Sequence, residues 1–313
     1  MTIFVHIGQC GTQLALPFWR LAEEDRVSSR ELWNPLFDPG DSAARCLLID
    51  AEPRAAAQTA ASLQNVVRPS NIILAREGRG NNFAFGLQQC MSESNQGRGL
   101  FAASTDAFRR EAERCDSLRS VILTHSTSGG TGSSTSAALM QHLRDIYPRR
   151  WLLPVAVGPF GRGDSPLQHY NTLFSTQAMH ILADGVVYTD NDELASSCGR
   201  MMMHMKAGQP KTTGGGVGGG ESDEAFKKKH RSWSLTSLNS LLARDLAVML
   251  FPGRRQQHGG GGRHRTLLPV DLSGVIPRVC PLSQYKWLEL RSSSQEGARG
   301  GENRELRTAR VPL

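Results

Sequence analysis

Short apolar runs alternate with longer amphipathic stretches along most of this chain. Strand-like runs lie at 3–7, 46–50, 72–75, 119–124, 151–158 and 185–189. Helical patterns fall between them, most clearly at 12–26, 105–116, 134–146 and 167–183. Nearly continuous apolar strands alternating with helices are typical of a parallel sheet that is covered on both faces. In such α/β sheets, ligands bind beyond the carboxyl ends of the strands.

A loop of small residues follows the fourth strand-like run and precedes a helical pattern. Its sequence is Thr124-His-Ser-Thr-Ser-Gly-Gly-Thr-Gly-Ser-Ser134. A loop of this kind brings backbone N–H groups and the positive end of a helix dipole to one point, which suits a phosphate. A flexible Gly/Ser turn without a ligand is the alternative that this segment alone leaves open.

Two familiar phosphate-binding motifs do not match this loop. A P-loop requires a lysine beside its glycines, and the sequence has no lysine before Lys206. A dinucleotide fingerprint requires G-x-G-x-x-G after the first strand, a spacing and a position that these glycines lack. The remaining interpretation is a loop that holds phosphate with backbone amides and the hydroxyls of Ser126, Thr131 and Ser133. Most of the charge would then be neutralised by a metal ion.

Composition indicates a soluble intracellular protein without a strong nucleic-acid signature. The chain has 313 residues, of which 39% are hydrophobic and 21% charged, and its net charge is +7. Arginine excess suits phosphate or acidic partners, and it equally fits a GC-rich genome. Only 227–231 forms a basic run, so neither nucleic acid nor membrane is an expected partner. The six cysteines show no zinc or C-x-x-C spacing, which favours a reducing cytoplasm.

Six loops match one protein family in their order along the chain. They are Gly8-Gln-Cys-Gly-Thr-Gln13, Leu48-Ile-Asp-Ala-Glu-Pro53, Gly80-Asn-Asn-Phe-Ala-Phe-Gly86, the loop 123–133, His169-Tyr-Asn171 and Thr189-Asp-Asn-Asp-Glu193. Over roughly residues 1–290 the sequence resembles tubulin. Within that superfamily it resembles delta-tubulin most, through Arg79–Gly86, Glu113–Ser117, Gln168–Asn171 and Cys280–Lys286.

The resemblance implies a three-layer, mostly parallel Rossmann-like sheet of the tubulin/FtsZ GTPase-domain type, followed by an incomplete second domain. We expect the GTP-binding domain at 1–253, with a disordered Gly-rich insertion at about 207–231. After it we expect a second disordered insertion at 254–265, the start of an intermediate domain at 266–290 and a disordered basic tail at 291–313. Tubulins continue for over a hundred further residues, so a truncated or specialised short form is expected.

The resemblance also implies a site for GTP or GDP with Mg²⁺. It assigns Gln9 and Cys10 to the phosphates in general and Asn81 to the γ-phosphate. The residues that it assigns to the α- and β-phosphates are Ser126, Gly129, Gly130, Thr131 and Gly132. It places Asp50 and Glu52 at the terminal phosphate and its Mg²⁺, as suits a hard cation. Taken alone, Asp50-Ala-Glu-Pro53 also fits a helix start whose acids complement the dipole.

The base and ribose positions depart from the tubulin pattern. The resemblance assigns the ribose to Asp164 and to Gln168, where tubulins usually have glutamate, and the guanine edge to Asn191 and Asn239. An amide both donates and accepts, as a guanine edge requires. Leu235 occupies the position of the aromatic ring that usually stacks on the base, so guanine preference is expected to be weaker than phosphate binding.

Hydrolysis is expected only with a partner tubulin. In the family an Asp-Leu-x-Glu loop presents a glutamate to the neighbouring subunit's nucleotide, and Gly274 holds that glutamate position here. A glycine cannot orient water, so this chain should not activate its neighbour. The expected role is a cytoskeletal, microtubule-associated one beside other tubulins, at centrioles, basal bodies or flagellar axonemes. An autonomous hydrolase that does not polymerise and a nonfunctional fragment are the alternatives.

Overall fold

An eight-stranded sheet organises the part of the protein that the structure describes. The computed structural model describes residues 1–28, 36–161, 165–207, 233–250, 272–292 and 304–308. The strands in these residues are β1 (Thr2–Ile7), β2 (Cys46–Asp50), β3 (Ile72–Leu74), β4 (Ser120–Ser126), β5 (Trp151–Gly158), β6 (Val186–Asp190), β7 (Trp287–Ser292) and β8 (Arg304–Thr308). They pair in the order β3-β2-β1-β4-β5-β6-β7-β8. All neighbours are parallel except β7 and β8, which are antiparallel.

Helices cover both faces of this sheet. They are α1 (Gly8–Ser28), α2 (Pro53–Ser62), α3 (Phe83–Gln96), α4 (Leu100–Glu113), α5 (Gly130–Ile146), α6 (Leu167–Leu182), α7 (Asn191–Ala207), α8 (Leu235–Leu250) and α9 (Leu272–Val279). Successive strand residues point to opposite faces. Phe4 therefore joins a core with α1 and α8, whereas Val5 joins a second core with α4 and α5. The predicted three-layer α/β class is confirmed.

The predicted strands all form: β2 and β5 have the predicted bounds, and the others begin or end one or two residues away. Because β1, β2 and β4 are parallel, the loops after them lie at the same carboxyl edge of the sheet. The sheet order reverses between β1 and β4. Helices α2, α3, α7, α8 and α9 lie outside the four helical stretches that were predicted most clearly. α5 begins at Gly130, four residues before the predicted start, because the glycine-rich loop itself supplies its first turn.

The C-terminal part extends the same sheet. β7 pairs with β6, and Leu272 and Ile276 of α9 belong to the core that contains Phe4. Residues 304–308, predicted as disordered tail, form β8 on the open edge of β7, where unpaired backbone groups accept a further strand. The remaining tail and the predicted insertions beyond Ala207 and at 254–265 lie outside the described residues. No helix in the described part combines the length and apolar character needed to cross a membrane.

Candidate functional site

The loops after β1 and β4 are in direct contact at the carboxyl edge. Gly8 has φ +70°, and a Cβ placed on it would lie 3.0 Å from the amide nitrogen of Gly132. A Cβ on Gly132 would lie 2.8 Å from the carbonyl oxygen of Ser126. Only glycine tolerates such approaches between backbones, so these residues close the first loop onto the Gly/Ser loop.

A third segment, between β3 and α3, packs on the same loop. A Cβ on Gly130 would lie 2.8 Å from the nitrogen of Asn82 and 2.9 Å from both Arg79 O and Asn81 Cα. Asn81 has φ 49°, a left-handed conformation that asparagine adopts more readily than most residues. The segment that the resemblance assigns to the γ-phosphate therefore abuts the loop assigned to the α- and β-phosphates.

The first turn of α5 provides the backbone donors at this edge. Gly129 is its N-cap residue and supplies no side-chain hydrogen bond. A Cβ on Gly129 would meet nothing within 4 Å, so space adjoins the start of the helix. Amides at an uncapped helix start have no intrahelical acceptor, and together with the dipole they favour an anion.

The predicted hydroxyl groups differ in their availability. Ser133 Oγ donates to Gly129 O at 2.5 Å, so its prediction as a phosphate ligand is wrong: the hydroxyl bonds within its own helix. Ser126 Oγ donates to Val157 O over 3.2 Å and lies 2.8 Å from Ser128 Oγ. Thr131 is half-buried in the first turn of α5. Thr131 is therefore the stronger hydroxyl candidate.

Asp50 ends β2 directly beside the first loop, since Ile49 pairs with Ile7. Asp50 is 1% exposed, and its Oδ1 accepts the N–H of Glu52 at 3.0 Å. Oδ2 is buried without a partner among the described residues. Burial raises the pKa of Asp50 from 3.8 to about 6. The nearby negative charge of Glu52 also raises this pKa, whereas the hydrogen bond from Glu52 N–H lowers it.

These two carboxylates fit a magnesium ion. A buried carboxylate oxygen without a donor is a group that a divalent cation would stabilise, and Glu52 is exposed nearby in sequence. Mg²⁺ commonly binds one or two carboxylates and completes its shell with water and phosphate. Within the described residues, no three His, Cys, Asp or Glu side chains come together as a metal cage. Two carboxylates, one buried and one exposed, are the kind of donor set that a phosphate-bound Mg²⁺ uses.

The first loop also contacts α8. Gln9 is exposed, whereas the Cys10 thiol lies 4.0 Å from Asn239 Oδ1, to which it donates. Burial raises the pKa of Cys10 to about 12, so the thiol stays protonated. Asn239 Nδ2 donates to Gln13 Oε1 at 3.2 Å, and Asn239 is 5% exposed. Cys10 and Asn239 are therefore in contact. The Asn239 amide, which the resemblance assigns to guanine, already makes hydrogen bonds to Cys10 and Gln13.

The other base and ribose candidates are more dispersed. Asn191 is half-buried at the start of α7, and Gln168 is buried near the start of α6. Leu235 begins α8 and is 49% exposed. Asp164 lies outside the described residues. Gly274 is exposed in α9, with no atom within 4 Å of a Cβ placed on it.

Asn171 is a residue at this edge that the sequence analysis quoted within a motif without giving it a role. Its Nδ2 donates to Asn81 O at 3.0 Å and to Ser128 O at 2.7 Å, and its Oδ1 accepts the Phe83 N–H at 2.8 Å. The only signal in the sequence is its place in His169-Tyr-Asn171, because an asparagine on a helix is otherwise unremarkable.

The sheet order, the glycine contacts and the uncapped helix start define a doubly wound α/β domain of the phosphate-binding class. A model of the Tubulin/FtsZ family, GTPase domain, matches residues 1–199. The chain therefore belongs to the Tubulin/FtsZ family, which confirms the resemblance at the level of the family. Membership of this GTPase-domain family implies binding of GTP or GDP.

Individual relatives agree with that assignment. The chain is similar to the tubulin beta chain of Porphyra purpurea, with 31% identity over 217 residues that cover 63% of this chain and 46% of the relative. The tubulin beta chain of Pyropia yezoensis is 30% identical over the same length and coverage. The chain thus spans about half the length of the curated relatives it matches. These matches agree with the family assignment, and they do not assign the chain to a delta-tubulin subgroup.

Proposed function

We propose that this protein binds GTP with Mg²⁺ at the carboxyl edge of its sheet and acts by assembly with other tubulins. The observation that carries this proposal is the convergence of three loops at the uncapped start of α5. Gly8 meets Gly132, and Gly130 meets Asn81 and Asn82, so the backbones enclose one anion-binding corner. The family assignment supplies the guanine nucleotide.

The phosphates would be held chiefly by backbone groups. The N–H groups at Gly130, Thr131 and Gly132 and the Thr131 hydroxyl would bind the α- and β-phosphates. Gln9 and Cys10 would approach from the first loop, and Asn81 would reach the γ-phosphate. Charge-assisted hydrogen bonds of this kind are stronger than those between neutral groups. Their number compensates for the absence of a lysine from the first 205 residues of the sequence.

Asp50 and Glu52 would hold the Mg²⁺, directly or through water. When bound, the ion supplies positive charge to the terminal phosphates. Asp50 is buried at the end of a strand, so its position is fixed by β2. Glu52 is exposed and precedes α2, which leaves it free to follow the nucleotide state.

Base recognition would come from α7 and α8. Asn191 and the remaining hydrogen-bonding capacity of Asn239 would contact the guanine edge, Gln168 would approach the ribose, and Leu235 would cover the base. Asp164 keeps its proposed ribose contact from the family pattern alone. This part of the site rests on a few side chains rather than on backbone geometry.

Assembly is the proposed consequence of nucleotide binding. GTP and Mg²⁺ would order the edge loops into a longitudinal contact with another tubulin, in the cytoplasm and on the cytoskeleton. The motifs that resemble delta-tubulin favour centrioles, basal bodies or axonemes as the place of action. With Gly274 in place of the activating glutamate, this chain would not stimulate hydrolysis by its neighbour, and hydrolysis of its own GTP would require a neighbour that supplies a glutamate. A tagged copy that decorates only cytoplasmic microtubules in flagellated cells would contradict the delta-like part.

The binding proposal is tested by calorimetric titration of the full chain with GTP, GDP and ATP, each with and without Mg²⁺. We expect GTP to bind more tightly than GDP or ATP. We also expect GTP to reach its full affinity only when Mg²⁺ is present. Thr131→Val should weaken GTP binding about tenfold, because a hydrogen bond to a charged group is lost. Thr105→Val is the matched control, since Thr105 is a half-buried helical threonine whose hydroxyl donates to Ala102 O of its own helix.

The outcomes of this titration separate the alternatives. No binding of any nucleotide would overturn the proposal and favour a nonfunctional fragment. GTP turnover by the chain without added tubulin would favour an autonomous hydrolase. Equal affinity of wild type, Thr131→Val and Thr105→Val would place the phosphates elsewhere.

A further inference from the structure

Asn171 joins three separate segments through one buried amide. It lies in the second turn of α6 and is 2% exposed. Its two N–H bonds run to Asn81 O and Ser128 O, and its oxygen accepts the first N–H of α3, from Phe83. Every donor of the amide is used and one acceptor bond is made, so its orientation is determined by its partners.

The segments that it joins are those of the proposed phosphate site. Ser128 lies in the Gly/Ser loop, immediately before Gly129. Asn81 lies in the segment before α3, where its φ of 49° is unfavourable for most residues. Locally, Asn82 caps α3 by accepting the Phe85 N–H at 3.1 Å, which positions the helix but does not bridge to the Gly/Ser loop. In the part of the chain that the structure describes, the Asn171 side chain makes this bridge through its hydrogen bonds to both segments.

We infer that Asn171 is a positioning residue that sets the distance between the γ-phosphate segment and the α/β-phosphate loop, and so selects triphosphate over diphosphate. This inference rests on the proposed function. Both N–H groups of the Asn171 side chain donate to carbonyl oxygens, so Asn171 acts on the nucleotide indirectly, through Asn81. Its loss lets the Asn81 segment drift from the Gly/Ser loop, which weakens the γ-phosphate contact first.

The test measures Kd values for GTP and GDP with Mg²⁺ in the full chain. Asn171→Asp keeps an acceptor for Phe83 N–H and places a carboxylate against two carbonyl oxygens, whereas Asn171→Ala removes all three bonds. We expect both variants to weaken GTP about 10- to 100-fold and GDP about threefold or less. Ser175→Ala is the matched control, because Ser175 is fully buried on α6 and its Oγ has no partner within the described residues. It should change both affinities less than about twofold.

A mutant cycle with Asn81→Gly distinguishes positioning from general destabilisation. Glycine removes the Asn81 side chain and tolerates its positive φ, where alanine would add strain. In the Asn81→Gly background, Asn171→Asp should lower GTP affinity by about threefold or less, since the group through which it acts is gone. Thermal unfolding without nucleotide identifies folded variants. If Asn171→Ala does not fold, Asn171→Asp carries the test.

A wild-type GTP-to-GDP affinity ratio in Asn171→Asp would overturn this inference and leave the proposed function intact. The inference would also be overturned if the double variant lowered GTP affinity by the full product of the two single-variant factors, because the two residues would then act independently. Failure of the wild-type chain to bind either nucleotide would overturn both proposals.

Discussion

The phosphate end and the base end of the proposed pocket are constructed differently. At the phosphate end, Gly8, Gly130 and Gly132 bring backbones within about 3 Å of any Cβ placed on them, so main-chain geometry forms the corner. At the base end, Leu235 is 49% exposed and Asn239 already bonds Gln13. The first end depends on the absence of side chains, and the second depends on which side chains are present.

For the proposed pocket, this difference predicts that phosphate affinity and base selectivity are separable. Backbone amides at a helix start bind phosphate whatever base follows it. Reading guanine requires amide groups in place and a surface that covers the ring. A chain can therefore retain a phosphate corner while its preference for guanine weakens. The following changes examine that separation, from the largest expected effect to the smallest.

Gly130→Ala should break the phosphate end. Its Cβ would lie 2.8 Å from Asn82 N and 2.9 Å from Arg79 O, and backbone atoms cannot move aside cheaply. We expect a loss of about 3 kcal/mol in the free energy of unfolding, and GTP affinity lowered more than about 100-fold. Chemical denaturation and titration measure the two effects.

The adjacent Gly129→Ala is the control for stability. No atom lies within 4 Å of its Cβ, and its φ of −85° suits alanine. Its free energy of unfolding should stay within about 0.5 kcal/mol of wild type. Equal stability losses in the two variants would contradict the packing of the Asn81 segment on Gly130.

Asp50→Asn should act on stability and on binding with opposite signs. The pKa rise from 3.8 to about 6 means that the native state binds the proton more tightly than the unfolded state. Stability without ligand therefore falls as pH rises from about 4 to about 6, by ~3 kcal/mol for this group. At pH 7 the neutral amide of Asp50→Asn should restore about 2 kcal/mol of the lost free energy of unfolding. The same change should abolish the dependence of GTP binding on Mg²⁺, because the charged ligand is gone.

Denaturation of wild type and Asp50→Asn across pH 4 to 7, without nucleotide, isolates this contribution. The difference between the two curves should grow with pH and level off above about pH 7. Arg54→Gln, an exposed change near the same helix start, serves as the control. A constant difference across this range would show that the Asp50 charge is not desolvated.

Leu235→Tyr should strengthen binding of the base without changing the contacts to the phosphates. Leu235 is half-exposed, so a ring can be accommodated there. Stacking on a base contributes about 1 kcal/mol, which predicts GTP affinity raised roughly fivefold. Leu235→Met, which keeps apolar character without a ring, should bind as wild type does. If tyrosine and methionine bind GTP equally, the base does not lie over α8.

Gly274→Glu should leave both ends of the pocket unchanged. Its Cβ meets nothing within 4 Å, and replacing an exposed helical glycine stabilises by roughly 0.5–1 kcal/mol. Its own GTP affinity should not change. GTP turnover should rise only when another tubulin is added, because the new carboxylate would serve the neighbour's nucleotide. Turnover unaffected by added tubulin would contradict the role assigned to this position.

Much of the fold and part of the site could be predicted from local patterns. The apolar runs predicted β1 to β6, since burial on both faces leaves a recognisable composition. The start of α5 at Gly130 was less predictable, because glycine is a poor helix former. That error also misassigned Ser133, whose hydroxyl bonds Gly129 O four residues earlier, as serines inside helices often do.

The sequence by itself determined the order of strands and helices and the glycine-rich loops at the carboxyl edge. It did so because hydrophobic period and glycine placement are local properties of a chain. The tertiary structure alone decided which loops touch. Asn171 reaches segments 90 and 43 residues away, and Asp50 loses water from one oxygen only when the neighbouring elements close around it. Such contacts depend on packing between distant residues, which no local pattern encodes.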